Sequence, residues 1–180
     1  MKILMHVCCG PCALYPFQVL SSQGHTVAGF FTNPNIHPYQ EYLKRREAAQ
    51  EMARQLQFPL FFEAGYRPEV YFREVAFRET ERCRFCYLLR LREVARRAKE
   101  EGFEAFTTSL LVSPWQKHEL VRDIGEEIAR EVQVPFLYFD WRPGYREGRR
   151  RARVMGLYSQ KYCGCLFSER ERYAEVKKGG

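Results

Sequence analysis

Five short, continuously apolar runs recur along the chain, and segments of helical period separate them. The runs are residues 2–7 (KILMHV), 26–32 (TVAGFFT), 59–62 (PLFF), 105–111 (AFTTSLL) and 135–139 (PFLYF). A strand apolar on both faces needs cover on both faces, and helices returning between parallel strands supply it. The intervening segments have that character. Residues 12–22 carry Leu14, Phe17, Val19 and Leu20 and stop at Gly24. Residues 38–57 put Tyr39, Tyr42, Leu43, Ala49, Met52, Ala53 and Leu56 on one face, with Lys44, Arg45 and Arg46 beginning the polar side. Leu88 to Ala98 and Leu120 to Val132 repeat the pattern. The expected fold is α/β: a five-stranded parallel, Rossmann-like sheet with helices on both faces, right-handed crossovers and a small C-terminal cap after Asp140. No repeat, low-complexity tract or linker interrupts residues 1–180, so one domain is expected.

In open sheets of this kind the ligand site lies beyond the carboxyl ends of the strands. There the chain places thiols. Cys8 and Cys9 follow the first run directly, and Cys12 follows Gly10 and Pro11. Cys83 and Cys86 form a CRFC motif expected just before a helix, where the dipole favours thiolate. Cys163 and Cys165 form CGC, in which Gly164 permits a tight turn. The N-terminus has no signal-peptide pattern, and no apolar run approaches the ~20 residues of a membrane helix. A cytoplasmic, reducing location is expected. An odd, clustered set of seven cysteines then points to metal or redox chemistry, not to a disulfide framework.

Several uses of those thiols stay open. Core packing suits one of them best, Cys12. A CxxC pair with two more ligands would satisfy tetrahedral zinc, although the adjacent pair and the surplus over four weigh against it. Iron–sulfur ligation needs the same thiolates. A CxC pair could also form a strained, reducible disulfide.

The formal net charge is +7, from 29 Lys and Arg against 22 Asp and Glu. This is either a solvated basic surface or the mark of a polyanionic partner. Residues 139–165 favour the partner. Trp141 and Tyr145 are interleaved there with Arg142, Arg146, Arg149, Arg150, Arg151 and Arg153, a mixture suited to stacked bases and phosphates of looped RNA. Asn33, Asn35 and His37 follow the second run and read as turn residues or substrate contacts. His6 lies inside the first run and reads as a hydrogen-bonded core histidine. Trp115, after the fourth run, could stack a base or pack. Asp140 could be a helix cap, an arginine partner, a metal ligand or a proton donor.

The motifs HVCCGPCA, FFTNPNIHPYQEYLKR, CRFCYLLRL, FTTSLLVSPWQ, FDWRPGY and YSQKYCGC together resemble the QueH-type epoxyqueuosine reductases, in order, over residues 3 to 167. The resemblance implies a HUP-type domain related to the PP-loop nucleotide-binding folds. It also implies reduction of epoxyqueuosine in the tRNA anticodon loop to queuosine. It implies a [4Fe-4S] cluster on Cys8, Cys9, Cys83 and Cys86. Cys163 and Cys165 would then be a redox-active pair or ligands of an additional iron, with Cys12 and Asp140 as weaker candidates for that second site. Expected partners are tRNA carrying epoxyqueuosine and an electron donor of unknown identity, with no membrane. ATP use is not expected, because CCGPC stands where PP-loop relatives have a Gly-rich phosphate loop, and Pro11 has no amide to offer. Asp140, His37 and Tyr145 are candidate proton donors. Two other classes compete: a sulfur-transferring tRNA enzyme, which would need ATP, and a zinc-stabilised tRNA-binding module without catalysis.

Overall fold

In the computed structural model, which describes residues 1–174, four strands form one parallel sheet in the order β3-β2-β1-β4. The strands are β1 (Lys2–His6), β2 (Thr26–Phe31), β3 (Leu60–Phe62) and β4 (Ala105–Thr108). The register pairs Leu4 with Ala28 on one side and with Phe106 on the other. Ile3, Leu4 and Met5 of the central β1 are fully buried. Each contributes about 1.5–3 kcal/mol relative to an exposed side chain.

The helices are α1 (Gly10–Ser22), α2 (Tyr39–Leu56), α3 (Pro68–Val75), α4 (Arg82–Glu100), α5 (His118–Val132), α6 (Tyr145–Val154) and α7 (Leu166–Ala174). β1-α1-β2 and β2-α2-β3 step outward in one direction, and the connection through α4 returns past β1 to β4. Right-handed crossovers therefore place α1 and α2 on one face and α4 on the other. The packing agrees: α1 lies against α2 and α6, and α4 lies against α5. β1 is consequently where the winding reverses, and the crevice between the ends of β1 and β4 is the switch point.

The expected fifth strand does not form. Residues 135–139 make a single parallel bridge, Phe106 to Phe136. Phe106 N–H donates to the Pro135 carbonyl and Leu137 N–H to the Phe106 carbonyl, each at 2.9 Å. The ladder stops there for two reasons. Pro135 has no N–H to give. β4 itself ends at Thr108, whose Oγ1 accepts the Leu110 N–H and starts a 3-10 turn over Ser109–Val112. Beyond Leu137 no straight neighbour remains to pair with. The chain instead turns through a 3-10 helix, Arg142–Gly144, into α6, and the segment before α7 returns to the residues just past β1, where Gln160 meets Cys9 and Cys12. The helix α3 was not foreseen from the sequence pattern. Among the described residues no helix is long and apolar enough to cross a membrane.

Candidate metal centre and substrate cavity

β1 ends one residue short of Val7, and Cys9 caps α1 with extended backbone. The helix therefore begins at Gly10, which puts Cys12 in its first turn beside the adjacent pair. The Sγ atoms of Cys8, Cys9 and Cys12 lie within 4.8 Å of one another, all three residues buried. Gly10 makes this possible. A Cβ there would sit 2.6 Å from the Ala48 carbonyl oxygen, so only glycine lets α1 start this close to α2.

Polar side chains from distant elements close over the sulfurs. Ser109 Oγ, at the end of β4, accepts the Cys8 N–H at 3.1 Å and donates to Cys8 Sγ at 3.3 Å. Gln160 Nε2 donates to Cys9 Sγ at 3.2 Å and lies 3.5 Å from Cys12 Sγ. The hydrogen bonds from Cys12 and then Cys9 hold the Cys8 thiol well below its ordinary value. Burial pushes Cys9 up to about 12, and the bond to Cys8 pushes Cys12 well above its usual range. Cys8 is thus the most acidic thiol of the group, with its neighbours as donors. A buried all-sulfur set ringed by N–H and O–H donors fits a soft metal or an iron–sulfur cluster and not an oxygen-seeking cation.

The other four thiols lie outside that three-sulfur group. Cys83 and Cys86 lie inside the first turns of α4, not ahead of it. The dipole does not dominate at Cys86: burial pushes its thiol up to about 12, against the pull of the nearby Arg90. Cys86 and Cys165 are buried in a satellite cluster with Tyr71 and Val75. Cys163 is exposed at the cavity wall, and Gln116 Nε2 donates to its sulfur at 3.4 Å. All seven cysteines are free thiols.

Two buried arginines frame these groups, each 2 % exposed. Arg45 was expected on the polar side of its helix. Instead it points inward, donating from Nη1 to the Cys163 carbonyl at 2.7 Å and from Nη2 to the Tyr162 carbonyl at 2.8 Å. Its Nε donates to Glu41 at 2.8 Å, and Glu41 accepts the Tyr158 hydroxyl at 2.7 Å. Arg90 donates from Nε to the Cys86 carbonyl at 3.1 Å and from Nη2 to Cys86 Sγ at 2.9 Å.

A cavity of about 770 Å³ opens over this floor. Cys8, Cys12, Cys163, Arg45 and Arg90 line it together with Trp115, Tyr145, Arg149, Lys161 and Arg172. Its volume falls in the range of small-molecule sites, about 300–1,000 Å³.

The sequence candidates for RNA contact divide sharply. Tyr145 and Arg149 line the cavity. Arg146 and Arg153 are exposed on α6. Arg142 is held by Asp140, Arg150 by Glu147 and Arg151 by Gln18. Trp141 is buried, 4 % exposed, and stacks on Phe139 with ring centroids 5.1 Å apart, so it cannot meet a base. Asn33 is buried and its Nδ2 donates to the Val7 carbonyl at 2.9 Å. Asn35 is buried too, with Oδ1 unpartnered among the described residues. Neither asparagine is open to RNA.

Asp140 stands outside both the thiol group and the cavity wall. Arg142 grips both its carboxylate oxygens at 2.8 and 2.6 Å and holds its carboxyl down to about 2, which makes it a poor proton donor. His37 is equally occupied: Nε2 donates to the Pro34 carbonyl and Nδ1 accepts the Leu166 N–H. His6 is fully buried and hydrogen-bonded on both ring nitrogens. Gln116, Gln160, Arg45 and Arg90 carried no site role in the sequence, and Ser109 read only as a possible helix cap. Their signal was position: Gln160 lies in YSQKYCGC and Gln116 in LLVSPWQ, each within a few residues of a thiol or a strand end.

Known proteins bear on this arrangement. A family model described as "Epoxyqueuosine reductase QueH" matches residues 3–171. The Epoxyqueuosine reductase QueH of Dehalococcoides mccartyi is 38% identical over 97% of this chain and 96% of its own length. That of Thermotoga maritima is 34% identical over 98% and 96%. The crystal structure of a predicted subunit of tRNA methyltransferase from Methanocaldococcus jannaschii superposes with a TM-score of 0.61 over 99% of this chain and 87% of that one. At 12% identity this shows a shared α/β fold. The match over nearly the whole length, with the buried thiols at the switch point, settles the kinship: the chain belongs to the QueH epoxyqueuosine reductase family.

Proposed function

We propose that the chain reduces epoxyqueuosine to queuosine in the anticodon loop of tRNA, acting as one domain in a reducing compartment such as the cytoplasm. One observation carries the reading. Two thiols of the buried three-cysteine group, Cys8 and Cys12, line a cavity that aromatic and cationic side chains also line. The cavity receives a modified base taken out of the loop. The reaction joins the epoxide with two electrons and two protons and yields an alkene and water. It calls for an electron donor and no ATP.

Cys8, Cys9 and Cys12 would hold an iron–sulfur cluster of the [4Fe-4S] type. Cys83, Cys86, Cys163 and Cys165 would complete its ligands or hold an additional iron. When bound, such a centre supplies electrons singly and a Lewis-acidic site for oxygen. The chain's own residues do the rest. Ser109 and Gln160 donate hydrogen bonds to the sulfurs and orient them. Arg45 and Arg90 place positive charge beside anionic sulfur. Tyr145 offers a phenol on the cavity wall, and it hands a proton to the departing oxygen. The Tyr162 hydroxyl is already given to the His37 carbonyl.

The test is anaerobic purification with iron and sulfide assays. Epoxyqueuosine-tRNA is then incubated with dithionite, digested and analysed by mass spectrometry. Iron with matching sulfide, queuosine as product and loss of both in Cys8→Ser support the proposal. A colourless zinc protein that returns the epoxide intact overturns it.

A further inference from the structure

Trp115 is 81% exposed on the cavity wall, although everything beneath it is tied down. Its own N–H donates to Ser113 Oγ at 3.3 Å, and His118 Nε2 donates to the Ser113 carbonyl at 3.1 Å. The next residue, Gln116, accepts the Tyr87 hydroxyl at 2.8 Å and donates to Cys163 Sγ at 3.4 Å. Lys117 N–H donates back to the Tyr87 oxygen at 3.2 Å. A short loop held at this many points presents a large apolar ring to solvent, one residue from a side chain that touches a thiol of the site. The other tryptophan, Trp141, is packed away, as an indole with no external partner would be.

The setting selects the partner. Arg149, Lys161 and Arg172 line the same cavity, and the chain as a whole carries +7. An exposed aromatic face among cations suits a single-stranded nucleotide, with its base on the ring and its phosphates on the cations. An apolar protein partner would leave the cations unmatched.

We infer that Trp115 is a stacking platform for a nucleobase next to the modified nucleotide, engaged while that nucleotide occupies the cavity, with Arg149, Lys161 and Arg172 facing the flanking phosphates. This rests on the tRNA reading above. Trp115 does not touch the reacting atoms. It positions the loop.

The test titrates the metal-loaded protein with an unmodified anticodon stem-loop RNA and follows tryptophan emission. Binding quenches the emission, and Trp115→Phe binds normally with the quench lost, because only buried Trp141 then reports. Trp115→Ala, whose exposed position leaves folding intact by circular dichroism, weakens binding about five- to hundredfold. With epoxyqueuosine-tRNA as substrate its KM rises by a similar factor while kcat holds. Binding by Trp115→Ala within twofold of wild type, or a quench that persists in Trp115→Phe, overturns the inference. The two readings fail separately. RNA affinity that depends on Trp115 without epoxide reduction sinks the reaction and keeps the platform. Reduction with unchanged KM in Trp115→Ala does the reverse.

Discussion

Arg90 sets its Nη2 2.9 Å from the Cys86 sulfur and has no carboxylate partner among the described residues. A guanidinium buried this way is stable only where anionic sulfur, or a ligand on it, balances the charge. Cys86, Cys163 and Cys8 are the sulfurs that act on Arg90, and they carry the balancing charge as thiolates when a metal centre binds. Replacing it removes a positive charge that favours the more reduced, more negative state of a bound centre. At an effective dielectric of about 20, one charge several ångströms away is worth about 2 kcal/mol, on the order of 100 mV for one electron. Arg90→Met is expected to lower the midpoint by that order in an EPR-monitored redox titration, and Arg90→Lys to retain most of it. Equal midpoints in all three proteins would refute the charge argument.

Arg45 is a clamp on the CGC turn. Arg45→Met deletes its bonds to the Cys163 and Tyr162 carbonyls and strips buried Glu41 of its cation. Removing one partner of a buried charge pair costs about 3–5 kcal/mol. Urea denaturation should register that loss. Trypsin should also cut after Lys161, beside the released turn, faster than in the wild type. Unchanged proteolysis at Lys161 would show that the turn is held by something else.

Acid should destabilise the fold through two histidines. Burial lowers both His6 and His37 from 6.5 to about 4, with the Arg90 charge assisting at His6. Between these values the unfolded chain binds more protons than the folded one, so stability rises with pH across the window. It is fully present above about pH 6.5 and is lost as pH falls toward 4. The loss is about 3 kcal/mol per histidine. The urea midpoint of the metal-free protein should fall across that range, and His37→Gln should flatten the slope. A midpoint independent of pH from 7 to 4 would contradict the assignment.

Two glycines should respond oppositely to alanine. At Gly10 the new Cβ meets backbone at 2.6 Å, so α1 must move off α2. Overpacking of this kind costs about 1–3 kcal/mol, and the shift separates Cys9 from Cys12. Gly10→Ala should therefore bind less iron on reconstitution. At Gly148 in α6 the nearest atom is 3.5 Å away, an ordinary contact. Gly148→Ala should be neutral or stabilise by up to about 1 kcal/mol through helix propensity. Equal iron content in the two variants would remove the reason given for Gly10.

The sheet was legible because apolar runs report burial on both faces, and four of them became strands within a residue or two of expectation at most ends. The fifth run was equally apolar, but its failure depends on where β4 bends, which Thr108 decides locally. Arg45 shows the limit of periodicity. It falls on the stripe of Tyr42, Ala49 and Met52, all buried, yet its charge argued for solvent. The partner that buries it arrives from Tyr162 and Cys163, far along the chain. The two tryptophans were indistinguishable as loop residues, and only tertiary packing separates buried Trp141 from exposed Trp115. Cys12 looked like the packing thiol because its grouping with Cys8 and Cys9 needs α1 to start at Gly10.

The reduction of the fifth strand to one bridge has a consequence for the order of synthesis. The chain past Leu137 is free to travel back to the start, so the site is built from residues at opposite ends of the molecule, Cys8 to Cys12 and Gln160 to Cys163. A nascent chain leaving the ribosome exposes its first thiols long before the residues that enclose them exist. Contacts of such long sequence separation close late in folding. The thiol pocket closes only once the chain has been made through Cys163, and until then Cys8, Cys9 and Cys12 lack the side chains that cover them.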